Sequence, residues 1–100
     1  MELTDETSLT PAWEAALLSF HRELRTRSVS PNTLRAYGAD LAELGEWATE
    51  RGSEPGTLVY RDLRSYAAKL SERGLARASV ARKLAAVRSF HDHLVRRGDA

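Results

Sequence analysis

The sequence predicts an all-α protein folded as a compact four-helix bundle. Three observations predict it. Four segments carry apolar residues at i, i+3 and i+4 spacing, and no segment alternates with the period of a strand. Links of only a few residues favour antiparallel packing of successive helices. One hundred residues allow one domain with a modest core.

Met1 to Leu9 has no periodicity and reads as a flexible acidic lead-in, with the folded domain spanning 10–98. Thr10-Pro11 is a helix start: a hydroxyl N-cap, then proline at the first helical position, where its missing N–H costs nothing. Trp13, Ala16, Leu17, Phe20 and Leu24 then form a core stripe, Arg25 and Arg27 suit the last turn, and Ser28-Val29 is a link.

Ser30-Pro31 repeats the start signal. Leu34, Tyr37, Leu41, Leu44 and Trp47 or Ala48 carry the second helix to about Arg51, with Gly52 as a left-handed stop. Gly38 and Gly45 lie inside this helix, each costing up to about 1 kcal/mol relative to alanine, and are read as points of close helix–helix approach. Gly52 to Gly56 is a loop by composition. The third helix runs from Tyr60 to Arg73, with Leu63, Tyr66, Ala67 and Leu70 inward and Gly74 as its stop. The fourth runs from Arg77 to Arg97, with Val80, Leu84, Val87, His91, Leu94 and Val95 inward and Gly98 as its stop.

Composition narrows the function classes. The chain has no cysteine, which excludes disulfides and cysteine-ligated zinc. No apolar run approaches the roughly 18 residues that span a bilayer, and the acidic start is unlike a secretory signal, so no membrane association is expected and the cytoplasm is the default compartment. His91 and His93 are two apart on one helix and point to different sides, and His21 has no partner at ligand spacing. All three read as structural or surface histidines. No nucleophile elbow frames a serine, and no glycine-rich phosphate loop is present. The aromatic residues Trp13, Phe20, Tyr37, Trp47, Tyr66 and Phe90 fall mostly on apolar stripes and read as core. The chain is therefore expected to have no catalytic residue, no metal, no cofactor and no small-molecule ligand.

What remains is charge. The chain is nearly neutral, but its last helix carries Arg77, Arg82, Lys83, Arg88, Arg96 and Arg97 against Asp92 alone. Such a patch suits an anionic partner, or is simply a solvated face. At about 100° per residue, Ala78, Arg82, Ala85, Ser89 and Arg96 lie opposite the Val80–Leu84–Val87 stripe, with Arg77, Ser79 and Lys83 flanking them. Small residues between arginines let a helix approach DNA closely. Arg88 sits nearer the core edge and suits anchoring to a neighbouring helix. On the second helix, Asn32, Thr33, Arg35 and Ala36 surround an N-terminus whose unpaired N–H groups suit a phosphate. Its later half is acidic (Asp40, Glu43, Glu46, Glu50), so only its beginning could meet DNA. Taken alone, the residues leave two readings open: a DNA-binding module, or a helical protein-interaction module with Trp13 and Trp47 as potential exposed anchors.

Ser30-x-Asn32-Thr33-Leu34-x-x-Tyr37-x-x-Asp40-Leu41 resembles the second helix of the N-terminal core-binding domain of tyrosine recombinases. Leu63-Arg64-x-Tyr66, Gly74-Leu75 and the run Arg82-Lys83-Leu84-Ala85-Ala86-Val87-Arg88-Ser89-Phe90 extend the resemblance, in family order, from about Leu17 to Gly98. It is closest to the Xer group, with phage and transposon integrases sharing the domain. The resemblance implies a SAM-like four-helix domain forming half of a clamp around double-stranded DNA, its second and fourth helices crossing the major groove. It implies a recombination half-site as partner, and other recombinase protomers in a synaptic tetramer of the full-length enzyme. It also implies a catalytic domain beginning shortly after Gly98 and absent from this chain, so that Tyr37, Tyr60 and Tyr66 are not nucleophiles. The chain departs from the family where a serine often caps the fourth helix: Ala76 stands there, leaving the start to fray or to be capped by Ser79. On these grounds the expected DNA contacts are Asn32, Thr33, Arg35, Arg77, Ser79, Arg82, Lys83 and Ser89.

Overall fold

The computed structural model describes residues 9–99. Most of the acidic lead, Met1 to Ser8, lies outside the described residues. Four α-helices are found, α1 (Pro11–Thr26), α2 (Pro31–Glu50), α3 (Tyr60–Glu72) and α4 (Arg77–Arg97), with a 3-10 turn at Pro55–Thr57 and no strand among the described residues. This is the all-α four-helix architecture the periodicity predicts.

The two proline starts behave alike. Thr10 Oγ1 accepts the Trp13 N–H at 3.2 Å and Ser30 Oγ accepts the Thr33 N–H at 3.2 Å, each satisfying one orphan donor of a first turn. α3 begins differently: Asp62 Oδ2 reaches back to accept the Val59 N–H at 3.0 Å. α4 begins without a side-chain cap, because Ala76 has none to give and Ser79 does not substitute for it. Gly52 closes α2 with φ +74°, where a Cβ would be strained. α1 ends on Ser28 at φ +59°, with the Ser28 N–H bonded to Arg25 O and the Val29 N–H to Leu24 O. That left-handed closure has no glycine to announce it.

One core serves all four helices. Trp13, Phe20 and Leu24 meet Leu41, Leu44 and Ala48, Tyr66 and Leu70, and Ala86, Val87, Phe90 and Leu94. At its centre Trp13 stacks on Phe90 (5.8 Å between ring centres) and Phe20 meets Phe90 edge-on at 5.7 Å. The Trp13 indole N–H, which cannot be buried unpaired without cost, donates to Ser53 O at 2.9 Å. Leu58, in the link between α2 and α3, is also buried in this core.

The inward face of α4 is rotated from the one its apolar stripe suggests. Val95 is half exposed and His91 half buried, while Ala86, Phe90 and His93 are buried. Phe90 brings the larger apolar area, and His93 can be buried because Ser19 and Glu23 satisfy both of its nitrogens.

Helix direction decides which helix ends lie together. Trp47 meets Tyr66 and Glu43 lies 3.7 Å from Arg73, so α3 runs against α2. Asp40 pairs with Arg82, and further along both helices Trp13 packs between Gly45 and Phe90, so numbers rise together along α2 and α4. The first turns of α2 and α4 therefore face the same end of the molecule.

Candidate nucleic-acid interface

At that shared end α2 contributes its first turn. Pro31 has no N–H, Ser30 Oγ takes that of Thr33, and Ser30 O takes that of Leu34 at 2.9 Å. Among the described residues only the Asn32 N–H is left without an acceptor, so the anion-binding capacity of this terminus is narrower than the sequence suggests. Asn32 and Arg35 are exposed, and Arg35 donates to Asn32 Oδ1, which turns the Asn32 amide N–H groups outward. Thr33 is half buried, its hydroxyl accepting from Ser30 at 3.0 Å.

α4 contributes Arg77, exposed on the first turn, with the small residue Ala78 and half-buried Ser79 beside it; Ser89, also half buried, lies about 18 Å further along α4, so the fold does not bring it to this end. Arg82 is half exposed, and its Nε and Nη2 donate side-on to the two oxygens of Asp40 at 2.9 and 3.0 Å. Lys83 departs from the sequence expectation. Its side chain is only 11% exposed, and the ammonium donates to Asp40 Oδ1 at 2.9 Å and Glu43 Oε1 at 2.7 Å. Its charge is spent inside the protein, joining α4 to α2. Arg96 likewise pairs with Glu23 at 2.9 Å, and Arg88 is exposed on a groove between α3 and α4.

The ion cluster is the strongest electrostatic feature here. Asp40 is 1% exposed. Burial pushes its carboxyl up, but the hydrogen bonds from Arg82 and Lys83, with their charges, outweigh that and hold it below the usual carboxylate range. For Lys83, burial pulls the ammonium down, and hydrogen bonds to Glu43 and Asp40 raise it above its ordinary value. Both are ionised at neutral pH. With Arg73 beside Glu43, three cations face two carboxylates, so the cluster stays net positive. The acidic half of α2, where Asp40 lies, is expected from sequence to repel DNA, yet this carboxylate turns inward. The signal for that is its position next to Leu41 and three residues after Tyr37, at the margin of the apolar stripe.

A second polar cluster lies between α1 and the C-terminal half of α4. His93, 2% exposed, has Nδ1 2.8 Å from Glu23 Oε1 and Nε2 3.0 Å from Ser19 Oγ. The His93 hydrogen bond holds Glu23 below its ordinary value, against the opposing effect of burial. The order Ser–His–Glu matches a nucleophile, base and orienter. However, Ser19 sits in the middle of α1, where the surrounding backbone N–H groups are taken by the helix, so no donor pair is available for an oxyanion. The cluster works as an α1–α4 clasp. No group of three or more potential metal ligands converges among the described residues. No helix among them is long and apolar enough to cross a membrane.

Comparison with known proteins adds an independent line. The family profile for the phage integrase N-terminal SAM-like domain matches residues 17–98. The chain is 36% identical over 84 residues to tyrosine recombinase XerD of Chlorobaculum tepidum, covering 83% of this chain and 28% of that protein. It is 34% identical over 67 residues to tyrosine recombinase XerC of Staphylococcus aureus, covering 67% of this chain and 22% of that one. Against XerC of Methylobacterium sp. the identity is 38% over 79 residues, 74% and 25% of the two chains. The chain thus spans about a quarter of the length of these relatives. No solved structure gives a significant match.

Proposed function

Given that the chain belongs to the phage integrase N-terminal SAM-like domain family, we propose that it is the DNA-binding half of a Xer-like tyrosine recombinase. In this reading it clamps one recombination half-site in double-stranded DNA for a C-terminal catalytic domain, in chromosome dimer resolution or DNA integration. Other protomers join it in a synaptic tetramer of the whole enzyme, which acts in the cytoplasm. The fragment itself performs no chemistry.

The observation that carries the reading is the shared end of α2 and α4. Two helix starts face one way, with Asn32 and Arg35 on one, Arg77, Ser79 and Arg82 on the other, and small side chains between them. Thr33 at the same end and Ser89, further along the same face of α4, complete the contact set. Lys83 supports the surface from within. Most contacts go to phosphates and set register, and few read bases.

Fluorescence anisotropy with a chromosome-dimer-resolution half-site duplex and a scrambled duplex, over a range of salt, tests the proposal. Arg35, Arg77 and Arg82, each displacing one counterion at about −0.9, give a log–log slope of about −2.7. Tighter binding of the half-site supports the recombinase address. Salt-insensitive binding, or none at low salt, refutes the DNA-binding role. The competing protein-interaction reading loses Trp13, which is fully buried, and Trp47, half buried against Tyr66, gives it only a partial anchor; the exposed apolar residues are others, Leu18, Val59, Tyr60 and Val95. A salt-insensitive interaction through these residues would favour it.

A further inference from the structure

We infer that Asp40 is the positioning residue of this interface: its buried carboxylate locks the Arg82 guanidinium side-on, so that the opposite edge is presented, already oriented, to a DNA backbone phosphate. The inference rests on the DNA-binding reading and adds to it a residue whose own charge opposes DNA.

The geometry is specific. A guanidinium carries five N–H groups in a rigid plane. Two of them, on Nε and Nη2, point at Asp40. The rest lie on the other edge of a side chain that is 46% exposed, while its partner is 1% exposed. Ala78 and Ser79, one turn before Arg82, and Ala36, one turn before Asp40, are small and leave that edge open to an approaching backbone. The rotamer freedom that a free arginine loses on binding has already been lost in folding, so the contact to phosphate forms at lower entropic cost.

Lys83 completes the arrangement. A phosphate that draws on Arg82 would leave a buried carboxylate poorly compensated if Arg82 were its only partner. Lys83 donates to the same carboxylate and also to Glu43, so Asp40 stays paired when Arg82 engages DNA. An ion pair serving stability alone does not require one partner to be half exposed on the second turn of α4, on the side-chain row that leads from the shared helix starts.

The test exploits opposite signs. Asp40→Asn removes a negative charge, so simple electrostatics demands tighter DNA binding. Positioning demands weaker binding, by roughly tenfold for the loss of one oriented charge-assisted contact. Arg82→Lys keeps the charge and a pairing to Asp40 but loses the planar fork, and weakens binding to a similar extent. Adding Asp40→Asn to Arg82→Lys then has little further effect, because the two act as one unit. Affinities of the 100-residue chain for the half-site duplex, with helical circular dichroism as the fold control, read these outcomes. Equal or tighter binding by a folded Asp40→Asn variant overturns the inference and leaves the functional reading standing. If that variant does not fold, Arg82→Lys decides, and an unchanged affinity overturns the inference. Absence of wild-type binding at low salt overturns both.

Discussion

Gly38 and Gly45 sit seven residues apart in the same helix, yet replacing each by alanine is expected to change stability in opposite directions. Both substitutions gain about 1 kcal/mol from helix propensity, because alanine restricts the unfolded chain and glycine does not. At Gly38 a Cβ meets nothing within 4 Å, so Gly38→Ala keeps the whole gain. At Gly45 a Cβ would lie 2.7 Å from Leu9 Cδ2 and 3.3 Å from Trp13 Cε3. Leu9 is the end of a flexible side chain and can move aside. Trp13 cannot easily do so, because it is fully buried, stacked on Phe90 and tethered to Ser53 O. Overpacking of this kind costs about 1–3 kcal/mol, which cancels or exceeds the propensity gain. The two variants should therefore differ by about 2 kcal/mol. In a domain of this size that separates their melting temperatures by roughly 8–16 °C, with Gly38→Ala above the wild type. Thermal unfolding followed by helical circular dichroism, with urea melts to check for unchanged m-values, measures it. A Gly45→Ala variant as stable as Gly38→Ala would show that the α1–α2 contact is looser than described and refute the packing argument.

Three other residues carry expectations of their own. The Tyr66 hydroxyl is buried with no partner among the described residues, so Tyr66→Phe should stabilise the fold by about 1 kcal/mol in urea melts; a loss would mean the hydroxyl is bonded after all. Burial, reinforced by the Glu43 charge, pushes the Tyr66 phenol up to about 12, so the wild type is unaffected by its ionisation below pH 10 and loses further stability relative to Tyr66→Phe as pH rises from 10 through 12, which ultraviolet titration and urea melts of the two proteins detect. Asp40 is depressed in the folded state, so its stabilisation is complete above the ordinary carboxylate range and disappears as pH falls through and below it. Urea melts of Asp40→Asn should therefore be less pH-dependent than wild type in that acid window, although Glu23, also held below its ordinary value, still contributes its own acid loss; parallel profiles would contradict the assignment. Arg77→Ala should change stability by no more than about 0.5 kcal/mol, roughly 2–4 °C in melting temperature, while reducing the salt slope of DNA binding by about 0.9.

Much of the fold is legible in the chain because its punctuation is local. Thr10-Pro11 and Ser30-Pro31 start α1 and α2 through caps that form within three residues, and the glycines at 52, 74 and 98 all take the left-handed backbone expected of stops. The apolar stripes of the first three helices identify Trp13, Phe20, Leu41, Leu44, Tyr66 and Leu70, all of them buried. The candidate site is legible only in part. Arg35 and Arg77 are exposed as their positions suggest. Asp40, which sequence assigns to an acidic surface, is buried, and so is Lys83, which it assigns to a flanking contact.

Sequence alone therefore determined the number of helices and most of their ends, because caps, stops and 3.6-residue periodicity act between residues a few positions apart; the family was legible as a resemblance, in the order and spacing of motifs such as Ser30-x-Asn32-Thr33-Leu34-x-x-Tyr37. The tertiary structure alone decided which charges face inward and which way α4 is turned. Lys83 is buried against a carboxylate 43 positions away, and His93 against one 70 positions away. A stripe of apolar residues cannot report such burial, because desolvating a charge becomes tolerable only once its partner has been brought to it by the fold.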